Sequence, residues 1–135
     1  MIYKIIDIQG IGPVYAEKLI AAGIETVDQL LAKGADPKGR HAIEEAPGID
    51  HGRVLTWVNH ADLFRVKGIG PQFSELLEAA GVDTVKELRN RNAANLAAKL
   101  LEVNEEKHLC RRTPVEKEVA KFIEIAKELE PVVTY

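Results

Sequence analysis

Two short turns contain the residues of this sequence that are best suited to bind an anion. Residues 10–13 and 68–71 both read Gly-Ile-Gly-Pro. Glycine permits positive φ or a close backbone approach, and proline fits the first helical position, where its missing N–H costs nothing. The first amides of a helix lack intrahelical acceptors and lie at the positive end of its dipole. Each turn could therefore hold a phosphate on its backbone.

Few basic side chains lie near these turns. Lys18 follows the first turn, but its counterpart after the second turn is Leu76, while Arg65 and Lys67 precede the second turn. The net charge is 6 − 8 = −2 for residues 1–60 and 12 − 13 = −1 for residues 61–135. Because neither half is basic, any affinity for nucleic acid must be local, modest and easily lost to salt.

No other residues form a convincing catalytic or metal-binding set, so we expect neither an enzyme nor a metal protein. Ser74 is the only serine and occupies a packing position of the repeat, and Cys110 lacks a third group to orient a neighbouring histidine. His108 and Cys110 are too few ligands for zinc. Neither a phosphate-binding P-loop nor a dinucleotide fingerprint is present.

The segment Lys107–Arg112 is the only local basic cluster. It follows a polar stretch, residues 104–108, which we interpret as a loop. Five acidic residues lie nearby: Glu102, Glu105, Glu106, Glu116 and Glu118. We therefore interpret the cluster as a solvated loop with ion pairs rather than as a phosphate contact.

An internal repeat positions the two turns. Residues 10–30 align with residues 68–88 at an offset of 58, with 12 of 21 positions identical. Agreement of this extent at one offset indicates duplication of a structural unit. We predict one unit over residues 1–60 and a second over residues 61–135, the second ending in a longer helix.

The sequence of each copy predicts helices. A helix follows each turn and stops at a glycine, and Thr26 and Thr84 open the next helix as N-caps, each with Gln or Glu three residues later. Thr113 is predicted to cap the final helix. Residues 2–8 are the only segment for which the sequence does not indicate whether the element is a helix or a strand. The predicted fold class is all-α.

The spacing of an apolar residue, the Gly-Ile-Gly-Pro turn, a small residue and a leucine resembles the helix-hairpin-helix motif. The motif runs from Ile8 through Leu19 and again from Val66 through Leu77. The whole chain also resembles a bacterial family of uncharacterised proteins with two such units in tandem, including the segment 131–135. The resemblance implies duplicated bundles similar to SAM domains.

Helix-hairpin-helix units commonly bind DNA without sequence preference, so the resemblance implies DNA as a partner. The backbone donors would lie at four glycines, and Lys18, Arg65 and Lys67 would supply charge. The glycines are Gly10, Gly12, Gly68 and Gly70. Some members of the motif family also hold a monovalent cation on hairpin carbonyls; no other cofactor is implied. Binders usually carry Lys or Arg directly after the turn, which this chain lacks.

Tyr15 and Phe73 occupy equivalent positions just after the two turns. They could contact a partner protein or stack on a base, or they could cover the hairpin's own apolar side. Two functions therefore stay open: weak, sequence-independent DNA binding, and a protein-interaction adaptor without a nucleic-acid role. Neither of these functions determines the oligomeric state.

Composition and the first residues indicate the location of the protein in the cell. The chain has 135 residues, one cysteine and no apolar run of the roughly 20 residues that cross a bilayer. The first residues reach Asp7 too early for a signal peptide. We expect a cytoplasmic protein that does not bind membranes.

Overall fold

The computed structural model describes residues 3–45 and 48–135. Every regular element in these ranges is helical, which confirms the predicted all-α fold. A 3-10 helix over Ile5–Asp7 comes first. The α-helices that follow are α1 (Pro13–Ala21), α2 (Val27–Gly34), α3 (Pro37–Glu45), α4 (His51–Leu63), α5 (Pro71–Ala79), α6 (Val85–Leu88), α7 (Ala93–Lys107) and α8 (Glu116–Glu128).

The segment whose type the sequence left open, residues 2–8, contains the 3-10 helix. Its first residue, Ile2, lies outside the described residues. Lys4 forms an isolated antiparallel bridge with Thr26, and the amide of Ile5 donates to the carbonyl of Glu25 at 3.1 Å. The chain before the first turn is therefore tied to the start of α2.

The chain forms two compact units. One comprises the residues through Asp62 together with Val132–Tyr135, and the other comprises Leu63–Pro131. Helices α5 and α6 begin 58 residues after α1 and α2, as the repeat requires. The Thr26 hydroxyl accepts from the amide of Gln29, whose side chain accepts from the Thr26 amide, so the predicted capping box is confirmed. The Thr84 hydroxyl caps α6 in the same way through the Glu87 amide.

The second unit departs from two details of the prediction. Residues 104–107 belong to α7 instead of a loop, and the helix stops at His108, which takes a left-handed φ of 53°. The Asn104 side chain exchanges two hydrogen bonds with the Cys110 backbone, 2.8 and 2.9 Å long, and so holds the chain reversal. No glycine marks this stop, and the usual sequence signal for a helix end is therefore missing.

Helix α8 also begins later than predicted. Its N-cap is Val115, so Thr113 is not the cap. The carboxylate of Glu118 accepts from the Val115 amide at 3.2 Å and takes over the capping role. A glutamate three residues into a helix can reach back to the N-cap amide, even when the cap residue has no polar side chain.

A buried arginine ties the segment Val132–Tyr135 to the first unit. Arg40 is 4% exposed, and its guanidinium donates to the carbonyls of Gly34 and Ala35, where α2 ends, and to the Thr134 carbonyl at 2.6 Å. The Thr134 amide donates to the Ala35 carbonyl at 2.7 Å. The Tyr135 ring lies 5.6 Å from the guanidinium carbon. A buried cation needs such acceptors, because losing one costs more than an ordinary hydrogen bond.

Deleting Thr134 and Tyr135 should lower the free energy of unfolding of the first unit by about 1–3 kcal/mol, because the buried Arg40 guanidinium loses one of its carbonyl acceptors. Urea denaturation followed by fluorescence measures this directly, since the only tryptophan, Trp57, lies in this unit. Deleting Tyr135 alone leaves Thr134 in place and should cost less. An unchanged midpoint in both truncated proteins would show that the contact does not stabilise the unit.

Candidate nucleic-acid interface

The first Gly-Ile-Gly-Pro turn presents the start of α1 to solvent. Gly10 is exposed and has a φ of 96°, while Ile11 is buried and anchors the turn. Gly12 is the N-cap and Pro13 the first helical residue, as predicted. The first helical hydrogen bond runs from the Ala16 amide to the Gly12 carbonyl at 2.9 Å. The amides of α1 before Ala16 therefore have no acceptor within the helix and lie at the positive end of its dipole.

The second turn repeats this geometry at the start of α5. Gly68 is exposed with a φ of 100°, Ile69 is 2% exposed, and Gly70 is the N-cap. Ser74 replaces the packing alanine of the first copy and is fully buried, with its hydroxyl donating to the Pro71 carbonyl at 2.9 Å. The hydroxyl is thus satisfied within its own helix, which fits a packing role.

An aromatic side chain from another helix lies beneath the first turn. Trp57 of α4 packs edge-on against Tyr15, with ring centroids 5.1 Å apart and planes at 63°. A Cβ atom on Gly10 would lie 3.5 Å from the Trp57 Nε1 atom. Tyr15 is half-buried in this arrangement. The ring that follows the turn therefore covers apolar surface of its own unit.

The same pairing occurs under the second turn. Phe73 is half-buried and lies 6.3 Å from Phe122 of α8, between ring centroids. A Cβ atom on Gly68 would approach Phe122 Cε1 to 2.8 Å, closer than such contacts allow. Glycine is needed at this position for room as well as for its positive φ.

The predicted basic residues have different surroundings. Lys18 is exposed, with its Nζ atom 6.0 Å from the centroid of the Tyr15 ring beside the first turn. Arg65 donates to the Glu130 carbonyl at 2.7 Å, and Lys67 is exposed directly before Gly68. Lys18 and Lys67 are thus accessible beside the two turns, whereas Arg65 is engaged with the chain that follows α8.

Two arginines outside the predicted DNA-binding set lie over the rings that follow the turns. One of them, Arg112, belongs to the basic cluster Lys107–Arg112, which the sequence assigns to a loop with ion pairs. The guanidinium carbon of Arg53 is 5.3 Å from the Tyr15 centroid, and that of Arg112 is 5.5 Å from the Phe73 centroid. Arg53 precedes Trp57 by four residues on α4, so helical spacing could have placed both on one face. For Arg112, in the loop before α8, the sequence offers no comparable signal.

Beside Arg53 lies an open depression of about 480 Å³ next to the first turn. It is lined by Gln9, Gly10, Asp50, Arg53, Thr56 and Trp57. The Asp50 carboxylate accepts from the Gly52 amide at 3.2 Å near the start of α4. The depression therefore brings a guanidinium to the turn, together with one carboxylate that weakens its attraction for anions.

Arg112 forms a two-point ion pair with Glu118, as expected for a basic cluster with acidic neighbours. The two guanidinium–carboxylate hydrogen bonds are 2.7 and 3.0 Å long. They lower the pKa of Glu118 to about 2, with help from the Val115 amide, and raise the pKa of Arg112. The charge that Arg112 could offer an anion is therefore largely compensated by Glu118.

Among the residues that the structure describes, the remaining titratable groups do not form a metal centre. Across residues 3–45 and 48–135, no three His, Cys, Asp or Glu side chains are grouped to hold a metal ion. The Cys110 thiol is half-buried and contacts the Gln72 carbonyl at 3.4 Å, and burial raises its pKa. A raised pKa makes a thiol less reactive, which argues against a nucleophilic role.

Comparison with known proteins identifies the family. A family model described as a domain of unknown function, DUF4332, matches residues 9–129. The chain belongs to this family. The match covers both turns and all of α1 to α8, and it confirms the expected resemblance to an uncharacterised family. No curated protein and no solved structure matches the chain. No helix in the described part of this DUF4332 protein is long and apolar enough to cross a bilayer.

The low pKa of Glu118 gives a direct test of the ion pair with Arg112. Carboxyl NMR should give a titration midpoint near 2, against the ordinary 4.5. Because the folded-state pKa is lowered, the pair contributes to stability above pH 4.5, and that contribution is lost as the pH falls toward 2.

In Arg112→Gln the midpoint should rise toward the ordinary value, although the Val115 amide still holds it slightly low. Arg111→Gln removes the neighbouring charge and should leave the midpoint near 2. A wild-type midpoint close to 4.5 would show that the ion pair does not form in solution.

Proposed function

We propose that this protein is a non-catalytic module that binds DNA weakly and without sequence preference, through two helix-hairpin-helix motifs. The observation that carries the proposal is the repeated construction of the turn. In each unit an exposed glycine turn starts a helix, and an arginine lies over the ring that follows the turn. Backbone amides, a helix dipole and a guanidinium are the groups that proteins use to hold a phosphate.

The groups at the two turns favour binding without sequence preference. The groups gathered at each turn are backbone amides and cations, which contact phosphates and carry no sequence information. Lys18 and Arg53 add charge at the first turn, and Lys67 adds charge at the second. With a net charge of −3, binding should be modest at physiological salt. The single cysteine is compatible with action in the reducing cytoplasm.

A second candidate function, a protein-interaction adaptor, is supported by an apolar groove of about 360 Å³ on the first unit. Ile6 and Ile20 line it and are 50% and 49% exposed, with Lys4 and Glu25 at its edges. Large aliphatic side chains exposed side by side are typical of protein contact surfaces. The DNA proposal is preferred because the turn geometry recurs in both units. At the position of Ile20, the second unit has Glu78.

The sharpest variant for the DNA proposal is Gly12→Glu. Gly12 has a φ of −88°, and a Cβ atom there would meet nothing within 4 Å, so the substitution should not disturb the fold. The carboxylate would occupy the position of the phosphate and repel it. We expect fluorescence anisotropy with labelled duplex DNA to show about tenfold weaker binding at low salt, the effect of about 1.4 kcal/mol.

Gly12→Gln is the matched control, because it adds nearly the same volume without charge and should lose much less affinity. Wild-type affinity should also fall log-linearly with salt concentration. Absence of binding by the wild-type protein at low salt would refute the proposal and favour the adaptor. Equal losses in the two variants would show that bulk, not charge, at Gly12 matters.

A further inference from the structure

The two units place an arginine over the ring after the turn by different routes. In the first unit, Arg53 and Trp57 belong to the same helix, α4. In the second, Arg112 lies in the loop before α8, ten residues ahead of Phe122. The distances from guanidinium carbon to ring centroid nevertheless agree, at 5.3 and 5.5 Å. The common geometry therefore arises from tertiary packing and not from one conserved sequence position of the repeat.

The two arginines differ in their ionic partners. Arg112 is held by both oxygens of Glu118. For Arg53, the described part of the chain provides the Tyr15 ring contact and no ion pair. Asp50 borders the same depression, and its carboxylate accepts from the Gly52 amide. The guanidinium of the first unit is thus available to an external anion, whereas that of the second is occupied.

We infer that Arg53 is the principal phosphate-binding side chain of the protein, and that Glu118 blocks the equivalent use of Arg112 by acting as an internal competitor for phosphate. This inference rests on the proposed DNA binding and specifies what each of the two turns contributes to that binding. The first turn binds DNA in the wild-type protein. The second turn contributes its backbone but not its arginine.

Glu118 can limit binding at the second turn without abolishing it. The Arg112 side chain is 63% exposed and that of Glu118 is 34% exposed, so water weakens their attraction. The bidentate geometry nevertheless satisfies the same guanidinium edge that a phosphate would use. Because the pKa of Glu118 is about 2, the carboxylate stays ionised at every pH suited to DNA binding. Substitution, not acidification, is therefore the means of releasing Arg112.

The role of Arg53 is tested by Arg53→Gln, with labelled duplex DNA as the probe and anisotropy as the readout. Affinity at low salt should fall about tenfold, and the slope of log affinity against log salt should shrink by about 0.9, the loss of one phosphate contact. Lys38→Gln removes a positive charge from an exposed position on α3 of the same unit and should change both quantities much less. Equal effects of the two variants would overturn the role of Arg53.

The role of Glu118 is tested by Glu118→Gln, which frees Arg112 while keeping the side-chain size. Affinity should rise about fivefold at low salt, and the salt slope should grow by about 0.9. Glu124→Gln removes the same charge from an exposed position on α8 and should raise affinity only slightly. Adding Arg112→Gln to Glu118→Gln should cancel the gain, because the double variant lacks the guanidinium that Glu118→Gln releases.

The possible results distinguish a failure of the inference about Arg53 and Glu118 from a failure of the proposed DNA binding. If wild-type protein binds DNA and loses affinity in Gly12→Glu, but Glu118→Gln behaves like Glu124→Gln, the internal competition is wrong and DNA binding stands. If the double variant Arg112→Gln/Glu118→Gln binds DNA as weakly as Arg53→Gln, Arg112 is already in use in the wild-type protein and the inference is likewise overturned. If neither wild-type nor Glu118→Gln protein binds at low salt, the proposed function fails and the inference fails with it.

Discussion

The packing of one aromatic side chain beneath each glycine turn determines the surroundings of the turn. Trp57 lies under Gly10 and Phe122 under Gly68. At Gly68 the approach leaves no room for a Cβ atom, so the turn must contain glycine. The same ring supports Tyr15 or Phe73 from the side, and that second ring in turn lies under an arginine. A hydrophobic contact thereby fixes both the exposed backbone of the turn and the cation beside it.

This arrangement changes the interpretation of the two rings that follow the turns. Tyr15 and Phe73 are each half-buried against a second aromatic side chain of their own unit. The Tyr15–Trp57 pair is edge-to-face and the Phe73–Phe122 pair is tilted, and aromatic pairs of this kind add stability beyond the area they bury. Their outer faces serve as platforms for Arg53 and Arg112, since a guanidinium over a ring is held by cation–π attraction. In the proposed function the rings therefore act by orienting cations.

Divergence between the copies is concentrated in the elements after the second helix of each repeat. In the first unit, α2 ends in the carbonyls of Gly34 and Ala35, which accept from the buried Arg40 of α3, and Thr134 completes the acceptors of Arg40. In the second unit, the long α7 and α8 supply seven of the sixteen buried apolar residues of the core. Duplication preserved the turn and its helix, while each unit buried the remaining apolar surface in its own way.

The sequence by itself determined the local features. Identical residues at an offset of 58 predicted the two turns. Pro13, Pro71 and the Thr26 capping box all have their expected roles. These features are predictable because caps and turns depend on residues within one helical turn. The all-α class followed from the same patterns.

Tertiary structure alone decided that Arg112 lies over the ring that follows the second turn. Arg112 is 39 residues from Phe73 in the sequence and 5.5 Å from its ring, and its ion pair with Glu118 depends on how the chain enters α8. The end of α7 at His108 likewise depends on Asn104 binding the Cys110 backbone, not on a local stop signal. The long-range contact between Arg112 and Phe73 is set by packing, for which periodicity and capping rules contain no information.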